Sequence, residues 1–196
     1  MSQLNVDALK HSSGTGSGID LQSSGNFAFD TNTLYIDSVN DRVGINDATP
    51  SYSLDVAGSD GVNFGTAPLF EKVNIVASTS NGNANIDLLT SAVHLFTSNN
   101  TGSWTPNFRG NSTTSLDSIM STGQVVVATI ISDNGGSSGY AANMNIDGNG
   151  QTEHWYNGET PDERGGTSGY DIYQYTIIKT GAGNSYLVFA NQTYMN

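Results

Sequence analysis

The sequence predicts an all-β protein: an elongated, trimeric N-terminal stalk of short strands and hairpins, then a C-terminal β-sandwich or jelly-roll-like head with one short helix. Three observations carry this. Apolar residues make up 36% of the chain, below the ~45–50% usual for globular domains. The 23 Gly and the many Asn, Ser and Thr favour turns and short strands over helices. Period-two alternation recurs along the chain, while helical spacing is confined to one short stretch.

Residues 1–60 read as short extended segments joined by tight turns. LNVDAL places Leu4, Val6 and Ala8 on one side and Asn5 and Asp7 on the other. HSSGTGSG reads as a loop. NFAFD, TLYID and RVGIN read as strands, and the Asn/Asp turn in SVNDR makes residues 33–46 a hairpin. After Pro50, YSLDVAG alternates again. Strands this short bury little by themselves, and isolated hairpins are marginal in water. Three copies wound around an axis cover one another's apolar faces, which is the physical reason to expect a trimer. An ordinary β-domain with long loops is the alternative.

Residues 61–89 read as a connector, with KVNIVAST as a strand inside it and NGNANIDLL leading onward. Residues 90–196 read as a compact head. VHLFTS, QVVVATIIS, MNIDG, YDIYQYTIIKT and SYLVFANQ are its strands, separated by Gly, Asn and Ser, at the spacing of a sandwich. A helix is expected at about 115–122, capped by Ser115 or Thr114 and ended by Gly123. Asp117 would lie in its first turn, and Leu116, Ile119 and Met120 on its apolar face.

Composition also excludes function classes. The net charge is −12, and the six cations (Lys10, Arg42, Lys72, Arg109, Arg164 and Lys179) are scattered. Phosphate backbones and anionic membranes require clustered cations, so no nucleic-acid partner and no membrane insertion are expected. Cys is absent, which removes disulfides, thiol catalysis and Cys-type zinc sites. The start, MSQLNVDALK, lacks a basic-then-apolar leader. The expectation is a protein made in a cytoplasm that leaves it by lysis or assembly.

Two stretches resemble known virion proteins. NDRVGINDATPSYSLDVAG, at 40–58, resembles a bacteriophage tail-fibre repeat through Val43, Gly44, Ile45, Pro50, Leu54, Asp55 and Val56, with Asn46 where the repeat usually has Gly. The C-terminal half resembles a domain of marine cyanophage structural proteins. Gly123, Gln124, Ile146, Asp147, Gly148, Trp155, Gly158, Pro161, Asp171, Tyr173 and Ile177 to Thr180 carry that likeness. The resemblance implies a virion component, made in the host cytoplasm, that forms a homotrimeric fibre on tail or capsid. Its residues 1–60 would join other virion proteins and its head would face outward. A receptor-binding fibre that recognises a host surface glycan is the alternative, and an envelope depolymerase a remote one.

No enzyme is expected. GTGSG at 14–18 lacks the Gly-Lys-Ser/Thr ending of a phosphate loop. Gly166-Thr167-Ser168-Gly169 misses the spacing of a nucleophile elbow. His11, His94 and His154 are too scattered for a metal triad. Asp147, Asn149 and Glu153 place oxygen ligands on a glycine turn that can wrap Ca2+. The run lacks the remaining ligands of the helix–loop–helix calcium pattern, so a hairpin turn is the plain reading. Trp104, Tyr140, Trp155, Tyr156 and Tyr170 sit in or beside loops and are the candidates for stacking on sugar rings. A core role is the plainer assignment for any one of them. In EHWY, neighbours on a strand point to opposite faces, so Glu153 and His154 would not converge.

Overall fold

The computed structural model describes residues 8–9, 19–21, 23–29, 33–58, 61–66, 68–133, 139–161 and 169–195. The strands of the first unit are β1 Ala8–Leu9, β2 Ile19–Leu21, β3 Phe27–Phe29, β4 Leu34–Asp37, β5 Arg42–Ile45 and β6 Leu54–Val56. In the second they are β7 Val73–Val76, β8 Gly82–Asp87, β9 Val93–Phe96, β10 Trp104–Arg109, β11 Val125–Asp133, β12 Asn145–Ile146, β13 Asn149–Gly150, β14 Glu153–Trp155, β15 Tyr170–Lys179 and β16 Tyr186–Met195, with one helix, α1, at Leu116–Ile119. The fold is all-β. The chain divides between Leu69 and Phe70. The second unit therefore starts well before residue 90, because β7 and β8, expected in a connector, are strands of its sheets.

The first unit is one sheet in the order β1 to β6. It is antiparallel up to β5, with the expected hairpin between β4 and β5. Asp37 builds that turn, its carboxylate accepting from the Asn40 side-chain amide at 2.7 Å and from the backbone N–H groups of Val39 and Asn40. These bonds, the Asn40 side chain first, hold its carboxyl below the usual carboxylate range. β6 then pairs parallel with β5. Parallel neighbours normally need a crossover of about a dozen residues or more, but here the connection is only Asn46 to Ser53. It folds directly over the sheet at Gly44, where an added Cβ would lie 2.0 Å from the Asp47 carbonyl oxygen. Pro50 accepts from the Arg42 guanidinium at 2.8 Å, and Asp55 accepts from the Ser51 N–H at 2.9 Å. Asn46 takes φ +56°, a left-handed conformation that Asn tolerates almost as Gly does. Gly44, Asn46, Pro50 and Asp55 thus each have a structural task in this arch.

Register sorts this sheet into two chemically different faces. Ile19, Phe29, Leu34, Ile45 and Val56 form one cross-strand row, and Phe27, Ile36, Val43 and Leu54 another. By the two-residue period both rows lie on the same face. Ala28, Tyr35, Gly44 and Asp55 form the row between them, on the other face. Ala28 and Tyr35 of this row are buried. The apolar rows stay open, with Phe27 42% and Leu54 62% exposed.

The second unit is a sandwich of a four-stranded sheet, β13-β12-β10-β8, and a six-stranded sheet, β14-β16-β15-β11-β9-β7. Its pairing is mixed. β7, β9 and β11 run parallel in one sheet, and β8, β10 and β12 run parallel in the other. The chain alternates between the sheets from β7 to β12, so a strand of the opposite sheet supplies each crossover. The core lies between the sheets. Trp104 meets Tyr173 edge-on at 5.5 Å, and Phe108 meets Tyr175 at 4.9 Å. Ile86, Ile130, Met144, Ile146, Ile177 and Val188 fill the space around them. α1 is capped by Ser115 as expected, but it is a single turn ending at Ile119, and Leu116 is its buried residue. Gly123 sits beyond it at φ +91° and donates to the Lys179 carbonyl at 2.8 Å.

The Gly44 contact is directly testable. Gly44→Ala is expected to cost about 1–3 kcal/mol, the range for forced overpacking, whereas Asn46→Gly should stay within about 0.5 kcal/mol. Urea unfolding of the two variants, followed by proteolysis between residues 42 and 56, measures this.

Candidate functional site

Alternation along β14 decides which of the candidate aromatics face a ligand. Its middle residue, His154, pairs with Phe189, and its end residues pair with Val188 and Ala190 of the buried layer. Glu153 and Trp155 therefore face inward, while His154 faces outward. Trp155 is half-buried and meets the core ring of Tyr175 edge-on at 6.0 Å. His154 lies beside Phe189 on the outer face, centroids 5.8 Å apart. The chain then turns sharply through Tyr156–Gly158, with Asn157 at φ +56°, and this leaves Tyr156 71% exposed.

These residues border an open hollow of about 410 Å³ on β14, β16 and β15, lined by His154, Trp155, Tyr156, Gln174, Thr176, Phe189, Ala190 and Asn191. It combines flat rings with the amides of Gln174 and Asn191, and among the described residues no Asp, Glu, Lys or Arg lines it. Apolar faces beside a few fixed polar groups are the chemistry of a site for a neutral, hydroxyl-rich ligand.

The remaining aromatic candidates lie elsewhere. Trp104 is 1% exposed in the core, so it presents no face to a ligand; it is buried because β10 is a strand of the four-stranded sheet, not a loop. Tyr140 is half-buried, and its carbonyl accepts from the Trp104 N–H. Tyr170 is exposed at the start of β15, opposite Asp133 and Met195. Of the five, Trp155 and Tyr156 reach the hollow. His154, Phe189, Gln174 and Asn191 were missed, since only the register of β14, β15 and β16 brings them together. Alternation in EHWY was the one available signal, and it had already placed His154 opposite its neighbours.

The proposed calcium ligands have other tasks. Asp147 and Gly148, at φ +50° and +79°, form the two-residue turn between β12 and β13, the Asp-Gly signature of a type I′ hairpin. The Asp147 carboxylate accepts from the backbone N–H groups of Leu116 at 2.7 Å and Asp117 at 3.0 Å. It therefore caps α1 from 31 residues away, satisfying donors that a helix start leaves free. Burial nevertheless pushes its carboxyl up from the usual range. The Asn149 amide donates to the Asp147 carbonyl at 3.0 Å. Glu153 turns inward with Oε1 buried, and burial raises its carboxyl too. Among the described residues no three His, Cys, Asp or Glu side chains converge on a point that could hold a metal ion. The Asp147 carboxylate is thus taken up by the start of α1, while Glu153 faces inward.

His94 is a core histidine, with Nε2 donating to the Ser91 carbonyl at 3.0 Å and Nδ1 accepting from Asn74 at 3.1 Å. Burial lowers its imidazole from the ordinary range and favours this neutral form. Residue His11, the stretch 14–18 and residues 166–168 fall outside the described residues.

Compared with family models, curated proteins and solved structures, the chain matches none of them.

Removing the Asp147 carboxylate leaves two helix-start donors unsatisfied. Asp147→Ala is expected to lower stability by about 1–2 kcal/mol, as the loss of a helix cap does, with no dependence on added Ca2+. Denaturant melts with and without Ca2+ or chelator check this.

Proposed function

We propose that this chain is a virion structural protein of the bacteriophage fibre type, and not an enzyme. In this reading it is a short homotrimer whose first unit joins other virion proteins and whose second unit faces outward. The observation that carries it is the open face of the first unit, where two cross-strand rows are aliphatic or aromatic throughout and Phe27, Ile36, Ile45, Leu54 and Val56 stay exposed. Full burial of such a side chain is worth about 1.5–3 kcal/mol, so covering the exposed remainder yields on the order of 1 kcal/mol for each. A unit with so little buried apolar surface of its own gains much of its stability from that cover, and further copies of the same chain supply it wherever the protein is made. The residues at 40–58 that resemble a tail-fibre repeat lie in this sheet and build its parallel β5–β6 arch.

Sedimentation of the full chain is expected to give three times its 20.6 kDa mass. Ile36→Asp, which places like charges against one another in an assembled sheet face, should shift the assembly by at least tenfold towards smaller species. A monomer at micromolar concentration defeats the reading.

The hollow on β14, β15 and β16 favours a second reading, in which the same outward unit holds a neutral glycan on the host surface. An array of neutral and anionic glycans tests it. The expected result is neutral ligands only, with at least tenfold weaker binding in both Tyr156→Ala and Phe189→Ala. Binding unaltered in both variants removes it.

A further inference from the structure

The sandwich of the second unit has two outer faces, and they differ in kind. The outer positions of the four-stranded sheet are polar: Asn85 pairs with Asn107, Thr105 with Asn83, and Arg109 with Asp87. The Asn107 amide donates to Asn85 at 2.9 Å, and the Arg109 guanidinium to Asp87 at 2.6 Å. That face is made for water. The outer positions of the six-stranded sheet are aliphatic on β7 and β9, and on β11 they are Val125, Val127, Thr129 and Ile131, with Asp133 at the strand's end. Ile75 pairs with Leu95 and Leu95 with Ile131, while Val73 pairs with Val93. Ile75 is 67%, Val125 57% and Val127 54% exposed.

We propose that this outer face of the six-stranded sheet is a contact between copies of this chain, distinct from the open face of the first unit. The proposal rests on the self-association reading above and gives it a second site. Three arguments select a second copy as the occupant. The first is charge. In a closed ring of identical copies, side chains at the axis meet their own equivalents, so a charge near the axis meets its like. The chain carries 18 acids, yet the cross-strand rows through Val73, Ile75, Val125 and Val127 contain no Asp, Glu, Lys or Arg, and Asp133 lies at the end of β11 beyond them. The second is polarity. Thr129, between Val93 and Gln174 in its row, offers a neutral hydroxyl that both donates and accepts, so it can pair with its own copy. The third is area. Six strands spaced about 4.8 Å apart, the longest about 33 Å, give a face of several hundred Å² after allowing for the short edge strands. That is on the scale of the ~800 Å² each partner contributes to a specific interface. The contact centres on β9, β11 and β15, and the hollow at β14 lies at its rim.

The absence of Cys allows a clean test on the full chain. Val127→Cys and Thr129→Cys place a single thiol on the proposed contact, and Asn83→Cys places one on the polar outer face of the other sheet. Maleimide labelling of each native variant is followed, with sedimentation run on the same samples. The expected result is an oligomer in which the thiols at 127 and 129 label at least tenfold more slowly than the thiol at 83. An oligomer in which all three label alike overturns this inference and leaves the contact through the first unit standing. Slow labelling at 127 and 129 in a monomer also overturns it, since the chain itself would then cover the face. A monomer with fast labelling throughout overturns both readings. If one contact variant fails to assemble or fold, the other decides.

Discussion

Trp104 and Phe108 on β10 meet Tyr173 and Tyr175 on β15 edge-on across the gap between the sheets, and the second unit is organised around that seam. Edge-on aromatic pairs add about 0.5–1.5 kcal/mol each beyond the area they bury. Their larger effect is to set parity. With Tyr173 and Tyr175 pointing inward, Gln174 between them and Thr176 after them must point out, and the long pairings of β15 with β11 and β16 carry the same inside and outside to their neighbours. The Tyr173 hydroxyl secures the arrangement by accepting from the Ala141 N–H and the Gln192 amide, both at 3.2 Å, and donating to Asp171 at 3.3 Å. Burial, with the Asp171 charge beside it, raises that hydroxyl far above the usual phenol range, so it remains a donor.

The same economy governs the polar groups placed near the core. Lys179 is almost fully buried, and its ammonium donates to Asp117, to the Gly183 carbonyl and to the Tyr186 hydroxyl, with the Tyr186 ring 4.4 Å away. A buried cation is tolerable only when so partnered. Through Asp117 it ties α1 to β15, while Asp147 ties the start of α1 to the β12–β13 hairpin. One turn of helix could not persist alone. It is held between β15 and the β12–β13 hairpin by the Lys179–Asp117 ion pair and by Asp147, the one of these charges that the sequence also offers as a calcium ligand.

The covering of sheet faces links the two units to the proposed assembly. In the first unit, the Asn46–Ser53 arch covers Gly44 on one face and leaves the apolar rows of the other open. In the second, the inner faces cover each other, the polar outer face meets water, and the aliphatic outer face remains. Each unit therefore retains one largely apolar face. Acidic side chains keep the remaining surface soluble and are excluded from the aliphatic rows.

Local chemistry sufficed for much of the molecule. Short apolar or β-branched runs set between Gly, Asn, Asp and Ser marked β3, β4, β5, β9, β11, β15 and β16, because such residues favour extended chain and the flanking ones favour turns. The β4–β5 hairpin and the Ser115 cap were legible because Asn, Asp and Ser act within a few residues of themselves. β8 and β10 were missed as strands: one is rich in Gly and Asn, the other holds Pro106, and both compositions argue against a strand. They form because parallel neighbours in the same sheet and apolar residues of the opposite sheet stabilise them, and neither partner is near in sequence. For the same reason EHWY showed that Glu153 and His154 diverge, but not that Phe189 and Gln174 would meet His154. Residue order determined the elements and their turns; register between distant strands, set by packing of the two sheets, decided which side chains share a face.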